Sequence, residues 1–254
     1  MTTTTLRPSF RVAEMPLPII ERFLREREGV WQQIGLELNL NTLISQMLLS
    51  SSVAFGFYGA VLGLSHSVPQ ALSSAVKLPI LFLLTLAICL PTLYLFNLLL
   101  GGRLSARQVL ALALSAITVT SALTVAFAPI SLFFLITAQS YPFFILLNVA
   151  ILALTAIVGL QFLVDGTRKL NAIAIAESGV DSAAEDGTSR KLRPMSVGLL
   201  NIWLLLYAFV GTQLGWTLRP FFGQPNTPFD LFRVIGGNFY WGLIKIFFSL
   251  FFPY

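Results

Sequence analysis

QVLALALSAITVTSALTVAFA, residues 108–128, is a run of 21 residues without a charge. A helix needs about 20 apolar residues to cross a hydrocarbon core, and this run reaches that length. Eleven of the 21 are Ala, Ser or Thr. Small side chains let helix backbones approach closely, so the stretch is predicted as the central helix of a bundle. Four more uncharged stretches of similar length lie around it, at 41–64, 79–100, 142–164 and 197–218. The expected fold class is an all-α integral membrane protein with five transmembrane helices. An amphipathic segment at 1–40 precedes the bundle at 41–218, and an outer turn and interfacial helix at 219–254 follow it.

The composition agrees. Of 254 residues, 56% are hydrophobic and 11% charged, with a mean hydropathy of +0.81. An ordinary globular chain is about a quarter charged. These values exclude a disordered chain, a nucleic-acid-binding module and a secreted disulfide scaffold. The formal charge of +5 is read as topogenic, because excess Lys and Arg in a membrane protein usually marks its cytoplasmic loops. Segment by segment the basic residues number five (1–40), one (65–78), two (101–107), none (129–141) and five (165–196). That alternation predicts a cytoplasmic N-terminus, a cytoplasmic 165–196 loop and a C-terminus on the opposite side. No secretory leader is expected, since residues 1–10 lack an apolar run.

Within 1–40, Ile20, Phe23, Leu24, Trp31 and Ile34 recur at helical spacing between Arg and Glu residues. Such a helix lies in the membrane interface or covers the ends of its own bundle. The apolar 130–137 piece between Pro129 and Pro142 reads as a hydrophobic loop capping the bundle, with a re-entrant segment as the alternative. The 165–196 loop is expected to extend the fourth helix and then turn into a mobile acidic run. In the first span, Ser52, Gly56 and Ala60, with Gly59 and Gly63, form two small-residue series suited to close helix packing. Pro91 is expected to kink the second span.

No Asp, Glu, Lys, Arg or His falls inside the five stretches. Proton-coupled pumps and intramembrane proteases place such groups at membrane depth, so an enzyme is not expected. Cys89 and His66 are single, which precludes an internal disulfide and a zinc cluster; no cofactor is expected. Gln46, Asn97, Asn148, Gln161, Asn201 and Gln213 are assigned to hydrogen bonds between helices.

The most distinctive tract follows the fifth span. It contains Gln213, Leu214, Trp216, Leu218, Arg219, Pro220 and Phe221, then Gly223 and Pro225, Phe232 and Arg233, and finally Asn238, Phe239 and Tyr240. Across about 30 residues this tract resembles the C-terminal end of a family of bacterial multi-span membrane proteins of unknown function. The resemblance implies a bacterial inner or internal membrane, but no activity. From the residues themselves, Trp216 and Arg219 suit a membrane boundary, Pro220 stops the helix, and Gly223-Gln-Pro225 makes a turn. Asp230 lies between Arg219 and Arg233 in sequence, so an ion pair is expected, with Arg219 folding the 223–233 turn back toward the fifth helix through Asp230 or nearby carbonyls. The expected function is a non-enzymatic accessory, scaffold or assembly subunit. Its expected partners are membrane lipids, other membrane-complex subunits or a second copy, and not nucleic acid. The alternative is a channel or permease for a small neutral or lipid-like solute.

Overall fold

The computed structural model describes residues 19–99, 104–138, 140–177, 197–223, 228–232 and 237–251. The acidic 178–196 run and Arg233 lie outside them. Among the described residues the chain is all-helical: α1 (Ile19–Arg25), α2 (Arg27–Gly35), α3 (Leu40–Gly63), α4 (Val68–Leu99), α5 (Ala106–Thr137), α6 (Tyr141–Glu177), α7 (Val197–Thr217) and α8 (Phe239–Phe251). Helices α3 to α6 are each long and apolar enough to cross a membrane, and α7 adds 21 uncharged residues. The chain is a polytopic membrane protein. Its long helices alternate in direction. The end holding α2 and the α4–α5 connection is called proximal here, and the end holding residues 64–67 distal.

The spans are longer than their apolar cores suggested. Helix α4 starts at Val68, so the polar 65–78 stretch is mostly helix rather than connection. Residues 130–137 are the last two turns of α5, not a capping loop or re-entrant piece. Pro129 lacks one N–H but has a φ that fits a helix, and leaving the helix in hydrocarbon would strip many more backbone groups of partners. Ile130, Phe133 and Ile136 face outward from this extension, while Ser131 turns inward and is buried. Helix α6 runs 37 residues, about 55 Å, and continues well past the apolar core at its proximal end.

Helix α5 is central, packing against both α3 and α6, and every residue from Ala111 to Thr118 is buried. Its small side chains make room for backbone: a Cβ on Gly159 of α6 would meet the Ala116 carbonyl at 2.7 Å and the Thr120 hydroxyl. Tyr58 and Ser131 both donate to Asn148 Oδ1, at 2.7 and 2.6 Å, tying α3, α5 and α6 together at one buried amide. On the other flank, α7 packs on α4, where Trp203 Nε1 donates to the Cys89 carbonyl at 2.9 Å.

The tightest contact is between α3 and α4. A Cβ on Gly59 would collide with the Ser74 carbonyl, and one on Gly63 would lie 2.5 Å from both Ala71 Cα and the Gln70 carbonyl. A Cβ on Gly56, one turn further, would lie 3.3 Å from the Ala75 carbonyl, and Ala60 is half-buried on the same helix. Backbone cannot rotate away from an added side chain as a rotamer can. Gly59→Leu and Gly63→Leu should therefore each destabilise the protein by about 1–3 kcal/mol. Gly29→Ala, where a Cβ would find nothing within 4 Å, should cost little by comparison. Melting temperatures in mild detergent check this, and equal values for Gly59→Leu and the parent would mean that α3 and α4 are not in backbone contact.

Candidate functional site

Starting α4 at Val68 brings a charge into a membrane helix. Lys77 is the tenth residue of α4 and only 5% exposed, so the expectation of spans free of ionisable groups is corrected. Gln70, Ser74 and Lys77 recur at i, i+4 and i+7 and form one buried polar face, with exposed Val68, Leu72 and Val76 on the opposite side of the helix. An ionisable residue at membrane depth is expensive, and it marks the first place to look for a role.

That face holds the C-terminal tract. Helix α7 ends at Thr217, and Pro220 prevents its continuation. The carbonyls beyond the helix end then need donors, and α4 supplies them. Gln70 Nε2 donates to the Pro220 carbonyl at 2.8 Å, and Ser74 Oγ donates to the Phe221 carbonyl at 2.7 Å. Lys77 Nζ reaches the Leu231 carbonyl and, at 3.5 Å, that of Pro220. Its ammonium also lies 4.6 Å from the centre of the Phe232 ring, where the face of the aromatic system attracts a cation.

The tract residues divide between two contacts. Phe222 meets Phe144 of α6 edge to face, and a Cβ on Gly223 would run into the His66 ring, so only glycine lets the turn lie against that imidazole. Trp216 belongs to the second contact. Arg219 stacks on its indole with the guanidinium carbon 3.6 Å from the ring centre, and Trp216 Nε1 donates to the Gly237 carbonyl at 3.1 Å. Gly242 of α8 gives the same indole room to lie close. Gly237 has a φ of +70°, which turns the chain into α8. The Asn238 side chain then caps α8 by accepting from the Trp241 N–H at 2.8 Å. Tyr240 OH lies 3.1 Å from Thr212 Oγ1 of α7, and Phe239 packs edge to face on Tyr240.

The expected Arg219–Asp230 pair is not formed. The ion pairs among the described residues are Glu21–Arg25 and Glu28–Lys169, and Asp230 is exposed. A turn whose carbonyls face α4 needs donors, which a carboxylate cannot be. The sequence signal for this site is the i, i+4, i+7 spacing of Gln70, Ser74 and Lys77. Of the other polar residues noted, Asn97 Nδ2 donates to the Leu104 carbonyl at 2.9 Å, Gln213 is half-buried, and Gln46, Gln161 and Asn201 are exposed.

A hydrogen bond from a charged group contributes about 1.5–3 kcal/mol and one from a neutral group about 0.5–1.5. Lys77→Met should therefore loosen the tract more than Ser74→Ala, and both should speed proteolysis within 219–237 in purified protein. Asp230→Ala should leave the cleavage rate unchanged. A parent-like rate for Lys77→Met would show that the lysine does not hold the tract.

The chain matches no protein-family model, no curated protein and no solved structure.

Proposed function

We propose that this protein is a non-enzymatic accessory, scaffold or assembly subunit of a bacterial inner membrane, acting through helix packing and its amphipathic ends. The observation that supports this most is the outer face of α8. Tyr240, Trp241, Ile244, Phe247 and Phe248 are all exposed, at helical spacing along one side of a 13-residue helix. At about 20 Å that helix is too short to span. Its opposite side is held at α7 by Trp216, whose indole lies against Gly242 and whose Nε1 donates to the Gly237 carbonyl just before the helix, so the aromatic stripe is turned outward.

The polar groups of the bundle interior favour the same reading over a permease. Ser115, Thr118, Thr120, Ser121 and Thr124 of α5 each donate to a carbonyl of their own helix, and Thr124 also meets Thr155 at 3.1 Å. The Lys77 ammonium is likewise engaged by backbone carbonyls.

The basic residues support a cytoplasmic proximal end. Arg22, Arg25, Arg27, Arg107, Arg168 and Lys169 lie on that side, whereas among the described residues Lys77, Arg219 and Lys245 lie toward the distal end. The resemblance of the C-terminal tract to a bacterial family supports the choice of membrane.

Two experiments test the proposal. With Cys89→Ala as background, an impermeant thiol reagent added to intact cells should label Asp230→Cys and should reach Gly29→Cys only after lysis; the opposite pattern would invert the orientation. A photo-crosslinking residue at Phe248 should give discrete protein adducts, and one at lipid-facing Leu205 of α7 should give lipid adducts alone. Lipid adducts alone at both positions would remove the docking role of α8.

A further inference from the structure

A groove of about 730 Å³ runs along the outside of the bundle between α1, α3 and α5. Its volume falls within the range of about 300–1,000 Å³ typical of ligand sites. Its α3 wall presents Gln46, Ser50, Val53 and Phe57 in turn, and Ala122 and Val125 of α5 form a second apolar wall. These are spanning helices, so the groove opens sideways into hydrocarbon.

The groove has a polarity gradient. Gln46 lies about 9 Å along α3 from its proximal start and Phe57 about 26 Å. The polar lining residues Gln46 and Ser50 are therefore proximal, and the deeper lining is apolar. Neither of these two side chains makes a hydrogen bond among the described residues.

A cation stands at the proximal end. Ile19 and Ile20 of α1 line the groove, and Arg22 lies one turn from Ile19 on the same helix. The Arg22 guanidinium donates to Gln33 Oε1 at 3.0 Å, and Gln33 Nε2 donates to the Leu38 carbonyl at 3.0 Å, just before α3 begins. That chain of bonds ties Arg22 to Leu38, two residues before α3, and so to the proximal end, where the polar lining of the groove lies. Its partner there is a neutral amide. The neighbouring Arg25, by contrast, is paired with Glu21 at 3.2 Å.

The geometry points to a binding site for one anionic phospholipid, with an acyl chain in the apolar part, Gln46 and Ser50 at its ester region, and the phosphate at Arg22. The site is independent of the α8 proposal, since it uses neither that helix nor the distal end. An amphiphile aligned with the bilayer has the same polar-to-apolar order as the groove wall. A neutral apolar solute would make no use of Arg22.

Native mass spectrometry of the full chain, stripped of lipid in detergent and then given equimolar phosphatidylglycerol and phosphatidylcholine, tests the site. One phosphatidylglycerol should be retained per chain, preferred about fivefold over phosphatidylcholine, as expected for a single basic residue near a headgroup. Ser50→Phe and Val53→Phe, which fill the groove, should abolish retention. Arg22→Gln should keep a lipid but lose the preference. Ile157→Phe, at a lipid-facing position on α6, should behave as the parent and controls for folding. A parent that retains no lipid, as when another part of this chain fills the groove, would overturn the proposal. So would retention unchanged in both filling variants, or equal retention of the two lipids by the parent.

Discussion

A backbone carbonyl left without a partner inside a bilayer costs several kcal/mol, and that constraint organises the distal half of this protein. Pro220 ends α7 and leaves the carbonyls of Pro220 and Phe221 beyond its hydrogen-bond ladder. Residues 70–77 of α4 satisfy them, and the same segment is what α3 packs against. Its backbone at Gln70, Ala71 and Ser74 is received by Gly63 and Gly59 on one side, while its side chains reach the tract on the other. The two contacts share residues 70–74 of α4, so a shift of α4 away from α3 would move the donors that serve the tract. A single side chain added at Gly59 would therefore disturb more than one helix pair.

The proximal half is built by a different means. Trp31 is buried with Phe162 5.0 Å from its ring, and a Cβ on Gly166 would collide with it. Gln108 caps α5 together with Ser105, and its free amide nitrogen serves the carbonyls of Ile34 and Gly35 at the end of α2. Aromatic packing sets the position of α2 and the amide closes its last turn. The apolar residues of this N-terminal segment thus lie against the bundle, while Arg25, Glu26, Arg27 and Glu28 remain exposed.

Four of the five expected spans, α3 to α6, were legible because 20 uncharged residues have few alternatives to a membrane helix. Their ends were less so. In sequence, residues 130–137 resemble a capping loop because they are too short to span and two prolines bracket them, yet one proline removes only one donor and helix remains the cheapest state in hydrocarbon. Residues 65–78 resemble a connection because they are polar. Polarity at i, i+4 and i+7 describes a helix face as well as it describes a loop, and the partners that distinguish the two lie some 140–150 residues further along the chain. For the tract, the identity of the important residues was visible but their pairing was not. Trp216, Arg219 and Gly223 matter through contacts with Gly237, the indole ring and His66, and no local pattern encodes contacts of that kind.

Lys77 shows how a membrane protein can use a charge without exposing it to a pathway. A lysine in a spanning helix carries a penalty that reaches about 2.5–3.5 kcal/mol at the helix centre, and Lys77 is the tenth of the 32 residues of α4. A neutral donor would avoid that penalty but would lack the length and the three hydrogens needed to reach both Pro220 and Leu231, which lie 11 residues apart in the chain. Placing the Phe232 face over the ammonium further offsets its desolvation. A carboxylate partner would neutralise the charge but would compete with those carbonyls for the same hydrogens. The absence of such a partner among the described residues therefore fits a lysine whose role is to bind backbone, and it explains why the nearby Asp230 faces outward.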